Sequence, residues 1–218
     1  MHLDNKYHRD WQRARLQFIL EKYPAEFWKD KTVLELGSFN GVIGNFFREL
    51  GSKVLCIEGR EENIIRIKEE FPELEVVQAN LDTPDWEFGN WDVIINFGLF
   101  YHLEKFHREN LTNCIKNSKL LFFETVIYDS YDCELYERQE SGLDQSLSEI
   151  GKSPSTRYVE NILDQTNTYY TKYSETRLGG GAHYYDWKDE NSKIFNQYNR
   201  RFWIICPNQL NKETKSNI

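Results

Sequence analysis

Glu35, Gly37, Gly41 and Glu58 are the residues whose types and spacing first suggest chemistry. In Val33-Leu-Glu-Leu-Gly-Ser-Phe-Asn-Gly41 an apolar run ends in an acid and a glycine, and a second glycine follows four residues later. Glycine suits a sharp turn where φ is positive or where a backbone approaches a ligand closely. A strand, a glycine turn and a helix N-terminus together form a platform for a nucleotide-like ligand. Glu58 ends the next apolar run about twenty residues on, where a carboxylate can accept hydrogen bonds from two vicinal ribose hydroxyls. Phe39 stands where a dinucleotide-binding turn carries its second glycine, and a phenyl ring there would obstruct a pyrophosphate.

These residues need a sheet to hold them. Residues 32–36, 53–58, 75–78, 91–96 and 119–126 read as strands, with helices over 41–50, 61–70 and 103–116. Alternation of this kind predicts a parallel sheet covered by helices on both faces. Residues 7–22 place Trp11, Leu16, Phe18 and Ile19 between charges, as an amphipathic helix does. The polar stretch 129–154 breaks the rhythm and reads as a long loop of the lid type. A helix resumes over 155–165 with Ser155 as its N-cap, and 168–174 and 200–206 read as the last strands. We expect one domain over 1–207, with 1–30 as a helical cap, 129–158 as a lid and acceptor insertion, and 208–218 as a polar tail.

Composition narrows the function classes. The chain has 218 residues and a net charge of -8, against the basic face that nucleic-acid binding usually needs. No stretch approaches the roughly 20 apolar residues of a membrane span, and the N-terminus lacks the apolar core of a signal peptide. Cys56, Cys114, Cys133 and Cys206 are scattered, which points to free thiols and a cytoplasmic setting. No Cys/His grouping has zinc spacing, so no metal is expected.

Glu35-Leu-Gly-Ser-Phe-Asn-Gly41, Glu58-Gly-Arg60, Asn80-Leu-Asp82 and Asp92-Val-Ile-Ile-Asn-Phe-Gly-Leu-Phe-Tyr-His-Leu103 occur in this order. Together they resemble the motifs of class I S-adenosylmethionine-dependent methyltransferases, densely over about residues 30–128. That cofactor has no phosphate, which suits the looser Gly-x-x-x-Gly turn. The resemblance implies an α/β, three-layer Rossmann-like fold, with a mostly parallel seven-stranded sheet whose last strand is antiparallel. It implies S-adenosyl-L-methionine as cofactor. Gly37, Ser38, Asn40 and Gly41 would then lie under its amino-acid and ribose moieties, with Glu35 near the ammonium. Glu58 and Gly59 would meet the ribose, Asn80, Leu81 and Asp82 the adenine, and Phe97, Gly98 and Leu99 would wall the site.

The same resemblance implies methyl transfer, in which a protein chiefly positions and desolvates the acceptor. An oxygen acceptor also needs a base. His102 is the leading candidate, at the opening of the helix after the fourth strand, because imidazole titrates near neutrality. Tyr101 could shape the pocket, Glu124 could bind or deprotonate an acceptor, and His183, in the glycine- and aromatic-rich run 179–187, could serve a gate. Residues 124–126, 142–147 and 153–160 resemble a subset acting on small metabolites or sugars. That suggests an acceptor pocket built by Asp144, Gln145, Ser146, Ser155 and Arg157, with Arg157 facing a phosphate or carboxylate. The expected partner is thus a small molecule, a sugar or phosphorylated metabolite, with neither nucleic acid nor membrane, and a homodimer is left open. An RNA-modifying methyltransferase and a non-catalytic cofactor-binding module are the alternatives.

Overall fold

The computed structural model describes residues 10–142, 145–173, 175–179 and 199–207. Five parallel strands form the centre: β1 (Thr32–Leu36), β2 (Lys53–Glu58), β3 (Glu75–Gln78), β4 (Trp91–Phe97) and β5 (Ser118–Val126). β9 (Arg200–Cys206) runs antiparallel to β5, and β8 (Tyr169–Tyr173) antiparallel to β9. The sheet order is β3-β2-β1-β4-β5-β9-β8, the expected seven strands with an antiparallel last one. The order reverses between β1 and β4, and their carboxyl ends open the crevice where α/β sheets bind ligands.

Period-two alternation sorts the core onto two faces. Val33, Val93, Ile95, Phe122, Phe202 and Ile204 belong to one cluster, and Leu34, Ile94, Leu121, Phe123, Trp203 and Ile205 to the other. The first cluster takes up Leu16 and Phe18 of α1 (Asp10–Lys22), Phe46 and Phe47 of α2 (Val42–Glu49) and Ile67 of α3 (Glu61–Glu70). The second takes up Leu111 and Ile115 of α4 (His107–Lys116) and Val159, Ile162 and Leu163 of α5 (Thr156–Gln165). Helices therefore cover both faces, giving three layers. No helix among the described residues is long and apolar enough to cross a membrane.

Two elements differ from the sequence reading. The helix expected from 103 begins at His107, and a separate 3₁₀ turn spans Phe100–His102. The cause is Asp82, whose carboxylate accepts the backbone N–H groups of Glu104, Lys105 and Phe106 at 2.9–3.1 Å. Those donors are thereby satisfied before the helix starts, and the carboxylate complements its positive end. The segment expected as a loop instead contains an antiparallel hairpin, β6 (Leu135–Gln139) and β7 (Ile150–Pro154). Its root is fastened by Tyr128 N–H donating to the Pro154 carbonyl at 2.8 Å and Ser155 N–H to the Glu134 carbonyl at 2.9 Å. Ser155 does cap α5, its hydroxyl accepting from Tyr158 N–H at 3.0 Å.

Candidate active site

A cavity of about 570 Å³ lies along the carboxyl edge of the sheet. Its first end is the turn after β1. Gly37 and Gly41 both have φ of 69°, and Phe39 has φ of 49°, a left-handed conformation uncommon for an aromatic residue. The Gly37 and Ser38 N–H groups donate to the Ile57 carbonyl at 2.9 and 3.2 Å, fastening the turn to β2. Phe39 N–H donates to Glu58 Oε2 at 2.8 Å. Glu58 Oε1 accepts from Arg60 N–H at 3.0 Å and from Asn63 Nδ2 at 3.2 Å. The carboxylate is thus fixed beside the turn, with acceptor capacity remaining on a group that can take about four hydrogen bonds.

Glu35 reaches the same end from within β1. Its Oε2 accepts Gly44 N–H at 2.9 Å and the Cys56 thiol at 3.2 Å, which ties α2 to the sheet. Burial pushes this carboxyl up to about 8, the hydrogen bonds from Cys56 and Gly44 only partly opposing it. Asn80, Leu81, Asp82, Gly59, Phe97, Gly98 and Leu99 also line the cavity. Gly41 does not. Added at Gly41, a Cβ would come within 3.0 Å of Ile67, so this glycine serves the packing of α2 on α3.

The second end holds Tyr101, His102 and Glu124, together with Arg138 and Glu140 from the hairpin and Arg200 of β9, while Trp11 and Gln12 of α1 also line the cavity, Gln12 beside the glycine turn. His102 Nδ1 lies 2.5 Å from Glu140 Oε2. Burial lowers the His102 pKa and outweighs the Glu140 carboxylate, which raises it. For Glu140, burial raises the pKa, but its contacts with His102 and Arg138 and the Ser146 N–H together hold it below the ordinary carboxylate value. The pair is therefore a carboxylate and a neutral imidazole. Nδ1–H donates to Glu140, and Nε2 is left as the basic nitrogen.

Glu124 is fully buried and lines the cavity. Its Oε1 faces Arg15 of α1 at 3.2 Å and Arg200 at 2.8 Å. Arg200 Nη2 donates to the Tyr101 hydroxyl at 3.0 Å. Glu124 thus anchors two arginines, and Tyr101 is held by one of them. Gln145 and Ser146 line the cavity, Ser146 N–H donating to Glu140 at 3.0 Å. Arg157 is exposed on α5 and is not among the lining residues. Asp144, His183 and most of the 179–187 run fall outside the described residues. Among the described residues, no three His, Cys, Asp or Glu side chains converge in a way that could hold a metal ion.

No family model matches the chain, and no curated protein matches it in sequence. Solved structures do. The N-terminal domain of EvdMO1, crystallised with S-adenosylhomocysteine, is 18% identical, with a TM-score of 0.66 over 91% of this chain and 81% of that one. An S-adenosylmethionine-dependent methyltransferase from Mesorhizobium loti is 11% identical, with a TM-score of 0.61 over 94% of this chain and 99% of that one. Coclaurine N-methyltransferase is 17% identical, with a TM-score of 0.58 over 80% of this chain and 55% of that one. The fold is the class I methyltransferase fold. On this methyltransferase fold the glycine turn, Glu58 and the residues after β3 and β4 share one cavity with His102. Sequence reading missed Arg138, Glu140, Arg200, Trp11 and Gln12. Their partners lie 38 residues away for Glu140 and 76 for Arg200, and no local pattern reports such pairs.

Proposed function

We propose that this chain is an S-adenosylmethionine-dependent methyltransferase acting on a hydroxyl of a small polar acceptor. The observation that carries the reading is one cavity joining the Gly37–Glu58 end to the His102–Glu140 pair. The residues fit the cofactor. Glu58 offers a fixed carboxylate to ribose hydroxyls, Leu81 an apolar surface to a base, and the Phe39 N–H of the turn is already committed to Glu58 rather than open to a pyrophosphate. Asp82 helps indirectly, by holding the start of α4 and the Phe100–His102 turn. When bound, S-adenosylmethionine supplies an electrophilic methyl carbon on a sulfonium leaving group.

The chain's own residues do the rest. His102 accepts the hydroxyl proton at Nε2 as the oxygen becomes nucleophilic, and Glu140 stabilises the imidazolium that forms. Trp11 and the hairpin border the acceptor end and limit water. A base held ready for deprotonation favours an oxygen acceptor over an amine. A sugar fits the polar lining, and the EvdMO1 domain, a neighbour in fold, was also crystallised in the presence of S-adenosylhomocysteine and D-fucose. The test is calorimetry with S-adenosylhomocysteine on the full chain, followed by methyl-transfer assays on hydroxylated metabolites. Binding should occur, and Glu58→Ala should weaken it by about 1.5–3 kcal/mol through loss of charged hydrogen bonds. A folded protein that does not bind at millimolar ligand sinks the reading.

A further inference from the structure

We propose that the acceptor carries an anionic group, a carboxylate or a phosphate, and that Arg138 receives it. This rests on the methyltransferase reading and specifies the chemistry of its acceptor. Arg138 and Arg200 line the acceptor end beside the carboxylates Glu124 and Glu140, and the buried Arg15 backs it by pairing with Glu124. His102 adds no charge, because burial keeps it neutral. Glu58 is held against the glycine turn by Phe39 N–H. Glu124 is shared by Arg15 and Arg200, whereas Arg138 faces a single oxygen of Glu140, so its guanidinium keeps capacity for a ligand that brings its own negative charge.

Geometry selects Arg138 as the contact. Arg15 and Arg200 are buried, and both are engaged with Glu124. Arg138 lines the cavity with its side chain a quarter exposed. Its Nε and Nη2 both face Glu140 Oε1 at 2.8 Å, and its guanidinium stands 5.0 Å from the centre of the Tyr101 ring. These contacts fix the plane of the fork and leave Nη1 without a hydrogen bond among the described residues. A pre-oriented guanidinium edge suits an oxyanion better than a neutral hydroxyl. Arg157, the arginine that sequence alone suggests for this task, lies outside the cavity. The Glu140 carboxylate bridges Arg138 and His102, so the acceptor's charge and its methylated hydroxyl must lie close together.

The experiment uses the full chain, first saturated with S-adenosylhomocysteine. Failure of that first step overturns the methyltransferase reading and not this inference. Inorganic phosphate and acetate are then titrated by calorimetry at constant ionic strength set with sodium chloride. At least one should bind with millimolar affinity, and which one binds tells a phosphorylated acceptor from a carboxylated one. Arg138→Gln should weaken that binding about tenfold or more, as expected for a lost charge-assisted hydrogen bond, while leaving S-adenosylhomocysteine affinity unchanged. Arg157→Gln should bind the anion like the wild type. The inference is overturned if neither anion binds the saturated wild type, or if Arg138→Gln binds as tightly as the wild type.

Discussion

At the scale of single residues, two titrating groups set the behaviour of the site. His102 is held neutral by burial, with its Nδ1 engaged by Glu140. Turnover should rise with pH through a value below that of an ordinary histidine and then level off. His102→Ala should lower kcat about a hundredfold and abolish that rise, with S-adenosylhomocysteine affinity unchanged. Equal turnover in the variant would remove His102 from the chemistry. Glu35 behaves in the opposite sense. The folded chain keeps its proton up to about pH 8, whereas the unfolded chain releases it near the ordinary 4.5. Folding thus takes up a proton between those values. The associated stability is complete below the lower one and is lost as pH rises through the upper one. The melting temperature of the ligand-free protein should fall across this window, and Glu35→Gln should flatten the fall.

At the scale of elements, the hairpin and the 3₁₀ turn are one machine. Gly151 of β7 packs so closely that an added Cβ would lie 2.5 Å from Glu140 and 2.6 Å from the Tyr101 carbonyl oxygen. That carbonyl is backbone and cannot swing away. Gly151→Ala should therefore displace Glu140 from His102. The expected result is a fall in kcat with cofactor affinity retained, and a stability loss of about 1–3 kcal/mol by chemical denaturation. The central elements were legible in advance because each is an apolar run bounded by glycine, proline or charge. Lys53–Glu58, Glu61–Glu70 and Arg200–Cys206 fall where the pattern places them. The hairpin was not legible, because Leu-Tyr-Glu-Arg-Gln has no continuous apolar face and is largely exposed. The true start of α4 was hidden for a different reason. Its satisfying group, Asp82, lies 22 residues upstream of the first backbone N–H it accepts, Glu104.

At the scale of the whole molecule, α1 joins the two ends of the cavity. Gln12 donates to Asn40 in the glycine turn at 3.1 Å, and Arg15 pairs with Glu124 under the acceptor end. Both ion-pair partners are buried, so removing one leaves charge poorly compensated. Arg15→Ala should cost about 3 kcal/mol in denaturant unfolding, Arg200 sparing the site a larger loss. A cost near zero would show that α1 is not integral to the fold. The residues proposed for the cofactor could be grouped from sequence, since they sit in consecutive strand-end motifs and line one cavity. The acceptor end could not, since Arg15, Glu124, Arg138 and Arg200 come from four distant segments. The stitched root of the β6–β7 hairpin gives this layout a practical meaning. Tyr128 and Ser155 form a bridge, so the chain leaves the scaffold and returns to it at nearly one point. The stretch between them is a natural cassette: exchanged whole, it should change what the His102 side of the cavity accepts, provided the incoming segment keeps the backbone carbonyls that Gln145 and Ser146 offer to Arg60.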